Sequence, residues 1–107
     1  MTTKKKRGFA FKIAGISFEN RQKIAKECRV GESVEFIREP QNPFDRNAIA
    51  IYVQHKENRK DMLGYVPRTM TKFLKEKTIG MIRNIAGSEK GTIGIVIEIP
   101  RKTQQII

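Results

Sequence analysis

The sequence predicts a mainly β domain: a small, strongly curved, mainly antiparallel sheet or partly open barrel of about six strands, with two short helices. Six short segments carry alternating apolar residues, and only two stretches have apolar residues at helical spacing. A parallel α/β fold is disfavoured because only two connections contain helices. The length of 107 residues fits one domain. We place it at 8–100, between a disordered basic arm at 1–7 and a frayed C-terminus at 101–107.

In the first half of the chain, the pattern predicts a strand, a helix and a second strand. Alternating apolar residues define the first strand, which ends at Gly15: Phe9, Phe11 and Ile13. Ser17 is expected to cap a helix over 18–28. Its apolar residues are expected to share one buried face: Phe18, Ile24, Ala25 and Cys28. The second strand, over 33–38, carries Val34 and Phe36 on one face.

The second half of the chain is dominated by strands. Four are predicted from apolar alternation: 47–53, 62–66, 79–86 and 92–99. A turn containing Pro40 and Pro43 precedes the first of them, because proline cannot donate to a sheet. Residues 55–61 are expected to form a charged loop. Thr69 is expected to cap a second helix over 70–77.

Composition excludes several classes of protein. With Cys28 as its only cysteine, the chain cannot form an intrachain disulfide, and with His55 as its only histidine it lacks the usual ligand set of a structural zinc site. A structural zinc site is therefore not expected. We also expect no other metal, no cofactor and no small-molecule substrate. No apolar run is long enough to span a membrane, and no signal peptide follows Met1. We expect a cytoplasmic protein without a membrane partner, associated with the nucleoid when it is bound to DNA.

The positive charge predicts a polyanionic partner. Lys and Arg total 22 and Asp and Glu total 11, which gives a net charge of +11. Lys4, Lys5, Lys6 and Arg7 form one basic run, and subtracting their four charges still leaves +7 on the rest of the chain. Basic residues within the predicted strands and helices, as well as in the tail, favour nucleic acid over a merely solubilising role.

The segment from Arg38 to Ile49 carries the clearest functional signal, because it places Phe44 and Asp45 at the tip of a turn in a basic protein. An ionised Asp only accepts hydrogen bonds, so it suits a hydroxyl and repels a phosphate. The competing interpretation is that Asp45 bonds its own backbone, as Asp does in Asx-turns. Phe44 likewise has two interpretations: it stacks on a nucleobase or packs into the core beneath the turn.

Four sequence motifs resemble the HIRAN domain. They are Gly15-Ile16, Gly31-Glu32, Arg38-Glu39-Pro40-x-Asn42-Pro43-Phe44-Asp45-x-Asn47-Ala48-Ile49 and Leu63-Gly64-Tyr65-Val66-Pro67-Arg68. Their order and spacing match along residues 8–99. HIRAN domains are similar in fold to OB-type β-barrels, and the best-understood members bind single-stranded DNA at a free 3′ end. The resemblance implies an OB-like barrel that binds such ends in DNA repair or replication-fork processing, with a helicase or nuclease acting in trans.

The resemblance also implies roles for individual residues. Asp45 would accept a hydrogen bond from the 3′-hydroxyl, Phe44 would pack on the terminal nucleotide, and Asn42 would shape the turn. Tyr65 would line the pocket and Arg68 would contact a phosphate. Further backbone contacts are assigned to three basic residues: Lys12, Arg38 and Arg46. The first strand departs from the helicase-type pattern, because Phe11 and Lys12 stand there in the opposite order.

Other functions are less favoured by the sequence. A metal-dependent nuclease needs paired carboxylates, and the acidic residues here are scattered and mostly adjacent to Lys or Arg. His55 stands in a charged segment without an adjacent nucleophile. We therefore expect a binding module and not an enzyme. The alternative is an adaptor that docks a helicase or nuclease subunit through its sheet edge.

Overall fold

A computed structural model describes residues 9–74, 78–87 and 91–100 of the chain. Its six strands form one antiparallel sheet: β1 (Phe9–Lys12), β2 (Ser33–Arg38), β3 (Ile49–Lys56), β4 (Arg59–Tyr65), β5 (Ile79–Gly87) and β6 (Ile93–Ile99). The strand order is β1-β6-β5-β2-β3-β4. The predicted mainly β class, with about six strands in an open, OB-like barrel, is confirmed. The predicted arm at 1–7 and C-terminus at 101–107 lie outside the described residues.

The two predicted helices exist, but both predicted caps are wrong. Helix α1 (Glu19–Ala25) begins after Phe18, and no side chain caps its first turn. The second is a 3-10 helix (Arg68–Phe73) that begins after Pro67, so Thr69 lies inside it and is not its cap. Proline suits a helix start because its ring fixes a helical φ and its missing N–H is not needed there. Residues 75–77 of the predicted helix lie outside the described part of the chain. No helix among the described residues has the length and apolar character needed to cross a membrane.

The predicted charged loop at 55–61 is wrong, because most of it is strand. Lys56 pairs with Arg59 across a two-residue turn, so β3 and β4 form a tight hairpin. Asn58 in that turn has φ +62°, a left-handed conformation that Asn adopts more readily than most residues. The charges are spread along strands, where Lys60 pairs with Glu35 of β2 at 2.9 Å.

The core lies on the inner face of the curved sheet. Its most deeply buried large side chains come from four strands: Ile49, Ile51, Leu63, Ile82, Ile95 and Ile97. Helix α1 packs over this face and contributes Ala25. Gln22 fixes the helix to β6, because its side chain donates to the carbonyl of Ile93 at 2.9 Å and accepts from the Ile93 N–H at 2.8 Å. Phe18 was predicted to join the buried face of α1, but it is 59% exposed.

One isolated bridge joins the segment after β1 to the end of β4. The N–H of Ala14 donates to the carbonyl of Tyr65 at 2.8 Å, and the N–H of Tyr65 donates to the carbonyl of Ala14 at 2.9 Å. Gly64 permits this approach, since a Cβ at that position would lie 2.5 Å from both the Ala14 oxygen and the Ile13 Cγ2. The bridge brings the two edges of the sheet together at one point and places α1 beside Tyr65.

Candidate nucleic-acid interface

A cavity of about 980 Å³ opens beside the Ala14–Tyr65 bridge. Three parts of the chain line it: the turn after β2, the start of α1 with the residues before it, and the end of β4 with the first residue of the 3-10 helix. Five of the eight sequence-predicted site residues line this cavity: Asn42, Phe44, Asp45, Tyr65 and Arg68. The structure therefore brings together residues that are up to 26 positions apart in the chain.

The turn after β2 is built by the side chain of Asn42. Its Oδ1 accepts hydrogen bonds from the N–H of Phe44 at 2.8 Å and the N–H of Asp45 at 3.1 Å. Its Nδ2 donates to Oε1 of Glu39 at 2.9 Å. Below the turn, the N–H of Glu39 donates to the carbonyl of Ala48 at 2.9 Å. The carboxamide of Asn42 thus holds the backbone of Phe44 and Asp45 in this turn.

Phe44 stands at the tip of this turn with its ring in solvent. It is 87% exposed, the highest value among the exposed large apolar side chains of the described residues. The interpretation that it packs into the core is therefore wrong. An aromatic ring held in water by a rigid turn is available to stack on a planar ligand.

Asp45 uses its two carboxylate oxygens differently. Oδ1 accepts from the N–H of Asn47 at 2.9 Å, which closes the turn in the way that the Asx-turn interpretation predicted. Oδ2 lies 3.4 Å from Nε of Arg68, and the Asp45 side chain is 23% exposed. The two sequence interpretations of Asp45 are compatible, because one oxygen serves the turn while the other faces an exposed guanidinium on the cavity lining.

Tyr65 and Glu39 form a hydrogen-bonded pair on the cavity lining. The Tyr65 hydroxyl donates to Oε1 of Glu39 at 2.9 Å. Partial burial, together with this bond to Glu39, raises the pKa of Tyr65 above its usual value of 10.0. Sequence reasoning missed Glu39, although it lies within the Arg38-Glu39-Pro40 motif that carried the family resemblance. The cavity consequently has two acidic residues on its lining, Glu39 and Asp45.

Phe18 and Arg21 also line the cavity, and sequence reasoning missed both. The guanidinium carbon of Arg21 lies 4.6 Å from the ring centroid of Phe18 and 5.5 Å from that of Tyr65. Nη1 of Arg21 donates to the carbonyl of Gly15 at 2.8 Å. The available signal was their spacing, since residues three apart at the start of a helix are neighbours on its surface.

The three other predicted basic residues do not line the cavity. Lys12 is exposed on β1, and Arg46 is exposed beyond Asp45. Arg38 ends β2 with its guanidinium donating to the carbonyl of Leu74 at 2.9 Å. These residues lie outside the cavity that the turn, α1 and β4 enclose.

A second polar cluster lies at the other end of β3. Cys28, Glu32 and His55 place potential metal-ligand atoms within 4.8 Å of one another. His55 Nε2 lies 3.1 Å from Glu32, and the opposite ring nitrogen lies 3.5 Å from Glu27. Burial, then the charges of Glu32 and Glu27, raise the pKa of Cys28 to about 12. His55 lies seven positions after Ala48, which lines the cavity, and in extended chain this corresponds to roughly 20 Å.

Comparison with known protein families agrees with this architecture. The family model of the HIRAN domain matches residues 7–77, which include the turn after β2, α1 and the end of β4. No curated protein and no solved structure matches the chain.

Proposed function

Because this chain belongs to the HIRAN domain family of DNA-binding modules, we propose that it is a non-catalytic module that binds single-stranded DNA and recognises the free 3′-hydroxyl end. The observation that carries the proposal is the composition of one cavity lining. The lining combines the solvent-exposed aromatic ring of Phe44 with the carboxylate of Asp45 and the exposed guanidinium of Arg68.

Phe44 supplies the contact with the terminal nucleobase. The residue is 87% exposed, so stacking a base on its ring removes apolar surface from water without moving the protein. Stacking on an aromatic side chain contributes about 1–3 kcal/mol per base and does not depend on sequence. The turn that Asn42 organises holds the ring in position before the ligand arrives, which reduces the entropy lost on binding.

Asp45 supplies the discrimination between an end and an interior. A terminal 3′-hydroxyl donates a hydrogen bond to Oδ2 of Asp45, whereas an internal nucleotide presents a phosphate at the same place. A hydrogen bond to a charged acceptor contributes about 1.5–3 kcal/mol, and the phosphate is repelled instead. In this proposal Asp45 therefore distinguishes the 3′ end of a strand, where no phosphate follows, from an internal nucleotide.

Arg68 and the net positive charge supply affinity for the backbone. The Arg68 side chain is 73% exposed, so its guanidinium can contact both Asp45 and a phosphate of the ligand. Contacts with about three phosphates predict that log Kd rises with log salt with a slope near 2. Lys12, Arg38 and Arg46 lie outside the cavity, and in this proposal they contact the strand beyond its terminal nucleotides.

The carboxylates of the cavity already accept hydrogen bonds from the protein, and Oδ2 of Asp45, the oxygen offered to the ligand, lies beside a guanidinium; this arrangement favours binding of a hydroxyl over metal-dependent catalysis. Oε1 of Glu39 accepts from Asn42 and Tyr65, and Asp45 accepts from Asn47 and faces Arg68. Two-metal hydrolysis needs carboxylates that face cations of the solvent. We accordingly propose that a helicase or nuclease in trans supplies any chemistry, in DNA repair or replication-fork processing.

The test compares oligonucleotides of one sequence that end in a 3′-hydroxyl or a 3′-phosphate, by fluorescence anisotropy at fixed salt. The wild-type protein is expected to prefer the hydroxyl by about 10-fold or more, because the hydrogen bond is replaced by repulsion. Asp45→Asn is expected to abolish the preference, since its amide oxygen can still accept from Asn47 but carries no charge.

Asp61→Asn is the matched control. Asp61 is 18% exposed and is paired with Arg59 at 3.1 Å, so the same chemical change is made outside the cavity. It is expected to leave the preference intact. Equal affinity of the wild-type protein for both ends would overturn end recognition. Absence of affinity for either oligonucleotide would favour the adaptor function instead.

A further inference from the structure

We propose that Cys28, Glu32 and His55 bind one divalent transition-metal ion of the zinc class, at the end of β3 remote from the cavity. The inference goes beyond the proposed function and does not depend on it, because none of the three residues lines the cavity. The expectation of no metal was based on the counts of cysteine and histidine. It did not consider that a carboxylate brought in by the fold could complete a ligand set with one residue of each type.

Two segments with a fixed backbone bring the three side chains together. Cys28 and Glu32 lie in the connection between α1 and β2, and His55 lies in β3. Gly31 donates its N–H to the carbonyl of Ile82 at 2.8 Å, and the N–H of Ile82 donates to the carbonyl of Glu32 at 2.8 Å. Pairing of β3 with β4 on both sides of His55 fixes the other segment. The backbone therefore sets the positions of the ligand side chains before a cation binds.

The contacts of Glu32 leave one of its oxygens for a cation. Oε1 accepts from the N–H of Arg29 at 2.7 Å, whereas Oε2 lies 3.1 Å from Nε2 of His55. Ligand atoms of Cys28, Glu32 and His55 lie within 4.8 Å of one another. Zinc bonds of about 2.0–2.3 Å place tetrahedral ligand atoms about 3.3–3.8 Å apart, so side-chain movements of about 1 Å complete the site.

The imidazole of His55 has a buried nitrogen whose bonding capacity is unused. Among the described residues, Nδ1 has no hydrogen-bond partner, and the side chain is only 12% exposed. Oε1 of Glu27 lies 3.5 Å from Nδ1 without forming a hydrogen bond. Buried polar atoms without a partner are rare and require an explanation. A cation on one ring nitrogen supplies it, because the other nitrogen then donates to a carboxylate, Glu32 beside Nε2 or Glu27 beside Nδ1.

The ligand types select the class of cation. Thiolate, imidazole and carboxylate together suit zinc and its neighbours cobalt and nickel, whereas calcium and magnesium take oxygen ligands. The Cys28 thiol donates to the carbonyl of Ile24 at 3.5 Å. When the cation binds, the thiol proton leaves to solvent and a sulfur–metal bond replaces the S–H bond. Negative charge on Glu27 and Glu32 attracts the cation to this point.

The experiment titrates the untagged protein with Co²⁺ after dialysis against EDTA, and then displaces Co²⁺ with Zn²⁺. Co²⁺ bound to a thiolate absorbs in the near ultraviolet through charge transfer from sulfur, so the spectrum reports on Cys28, the only cysteine. We expect this band to saturate at one Co²⁺ per chain, and Zn²⁺ to bind with a Kd of about 1 μM or tighter. The NMR signals of His55, the only histidine, are expected to shift when Zn²⁺ is added.

Removal of single ligands distinguishes this site from adventitious binding elsewhere on the protein. Cys28→Ser is expected to abolish the charge-transfer band. Glu32→Gln is expected to weaken Zn²⁺ binding by about 100-fold or more, because loss of even an orienting partner costs roughly 10- to 100-fold. Glu35→Gln is the matched control: Glu35 pairs with Lys60 at 2.9 Å and lies three positions further along the chain. It is expected to leave Zn²⁺ affinity within about 2-fold of the wild type.

The outcomes separate this inference from the proposed function. A Co²⁺ spectrum without the sulfur band, or Zn²⁺ binding that is unchanged in Cys28→Ser and Glu32→Gln, would overturn the metal site. The wild-type spectrum and the His55 signals decide the question even if a variant folds poorly. Zn²⁺ is expected to leave the preference for a 3′-hydroxyl over a 3′-phosphate unchanged, because the cavity is remote. Metal binding therefore tests this inference, and oligonucleotide binding tests end recognition.

Discussion

The two ends of β3 carry similar chemistry in different environments. At one end, Asp45 faces Arg68 on an open cavity, and the Arg68 side chain is 73% exposed. At the other end, Glu32 pairs with His55, whose side chain is only 12% exposed, beside the buried Cys28. The exposed guanidinium of Arg68 can turn from Asp45 to a ligand, whereas the imidazole of His55 is held inside the fold beside Glu32. Environment, more than residue type, therefore distinguishes the candidate binding site from the cluster around His55.

The largest expected effect is on the reactivity of Cys28, because the difference between the two ends of β3 predicts an unreactive thiol at the buried end. Its raised pKa, about 12 against an ordinary 9.0, leaves little of the reactive thiolate near neutral pH. Alkylation of the folded protein is expected to be at least about 100-fold slower than that of the urea-unfolded protein. Mass spectrometry of the time course measures this. Comparable rates in the two states would mean that this end of β3 is as open as the cavity.

The next effect is the loss of binding in Phe44→Ala. Removing the exposed ring is expected to weaken single-stranded DNA binding by about 5- to 150-fold. The free energy of unfolding is expected to change by less than about 0.5 kcal/mol, because the ring makes few contacts in the folded protein. Anisotropy titration and urea unfolding of the same preparation measure both quantities. A large loss of stability would show that Phe44 supports its turn.

In contrast to Phe44→Ala, His55→Ala is expected to lower stability and to leave DNA affinity nearly unchanged. It removes a largely buried imidazole and its hydrogen bond with Glu32, so the free energy of unfolding should fall by about 1–2 kcal/mol. Affinity for DNA is expected to stay within about 2-fold, because the cluster is remote from the cavity. Urea unfolding and anisotropy are again the measurements. A change in DNA affinity larger than the change in stability would contradict the separation of the two regions.

Tyr65→Phe tests the cavity pair with a smaller change. Loss of the hydroxyl bond to Glu39 is expected to lower the free energy of unfolding by about 0.5–1.5 kcal/mol. Because the folded-state pKa of Tyr65 lies above 10.0, this contribution is fully present below pH 10.0 and is lost as the pH rises through the folded-state value. Urea unfolding of both proteins at neutral and strongly alkaline pH measures the difference. A difference that is independent of pH would exclude this linkage.

The smallest expected effect is that of a chelator. Potential metal ligands meet at Cys28, Glu32 and His55, remote from the cavity, so EDTA is expected to leave DNA affinity unchanged within about 2-fold. Anisotropy before and after dialysis against EDTA measures this. A marked loss of affinity would couple the two ends of β3 and require a cation in binding.

The sequence predicted the sheet better than it predicted the helix ends. Alternation of apolar residues identified all six strands because a buried face imposes a period of two. It failed at His55 to Asp61, where charged residues occupy a hairpin that one turn residue, Asn58, makes possible. Ser17 had the residue type of a cap, but the chain enters α1 with Phe18 at the capping position.

The site was predictable where the turn motif determines it and unpredictable where tertiary contacts do. Phe44 and Asp45 were identified because Asn42 and the prolines define a local turn. Arg38 is adjacent to the same motif, yet its guanidinium bonds to Leu74 across the fold. Neighbours in sequence therefore point to different surfaces. Phe18 reached the cavity only because α1 packs beside the end of β4, which no local pattern encodes.

The isolated bridge between Ala14 and Tyr65 would couple a ligand in the cavity to the closure of the sheet. Among the described residues, two backbone hydrogen bonds between Ala14 and Tyr65 join these edges, so their local opening is expected to require less free energy than global unfolding. Tyr65, Gly15 and Arg21 touch both the bridge region and the cavity. A strand bound there stabilises the closed form by mass action. Slowed hydrogen exchange of the Ala14 and Tyr65 amides would then show that the cavity is occupied by a ligand.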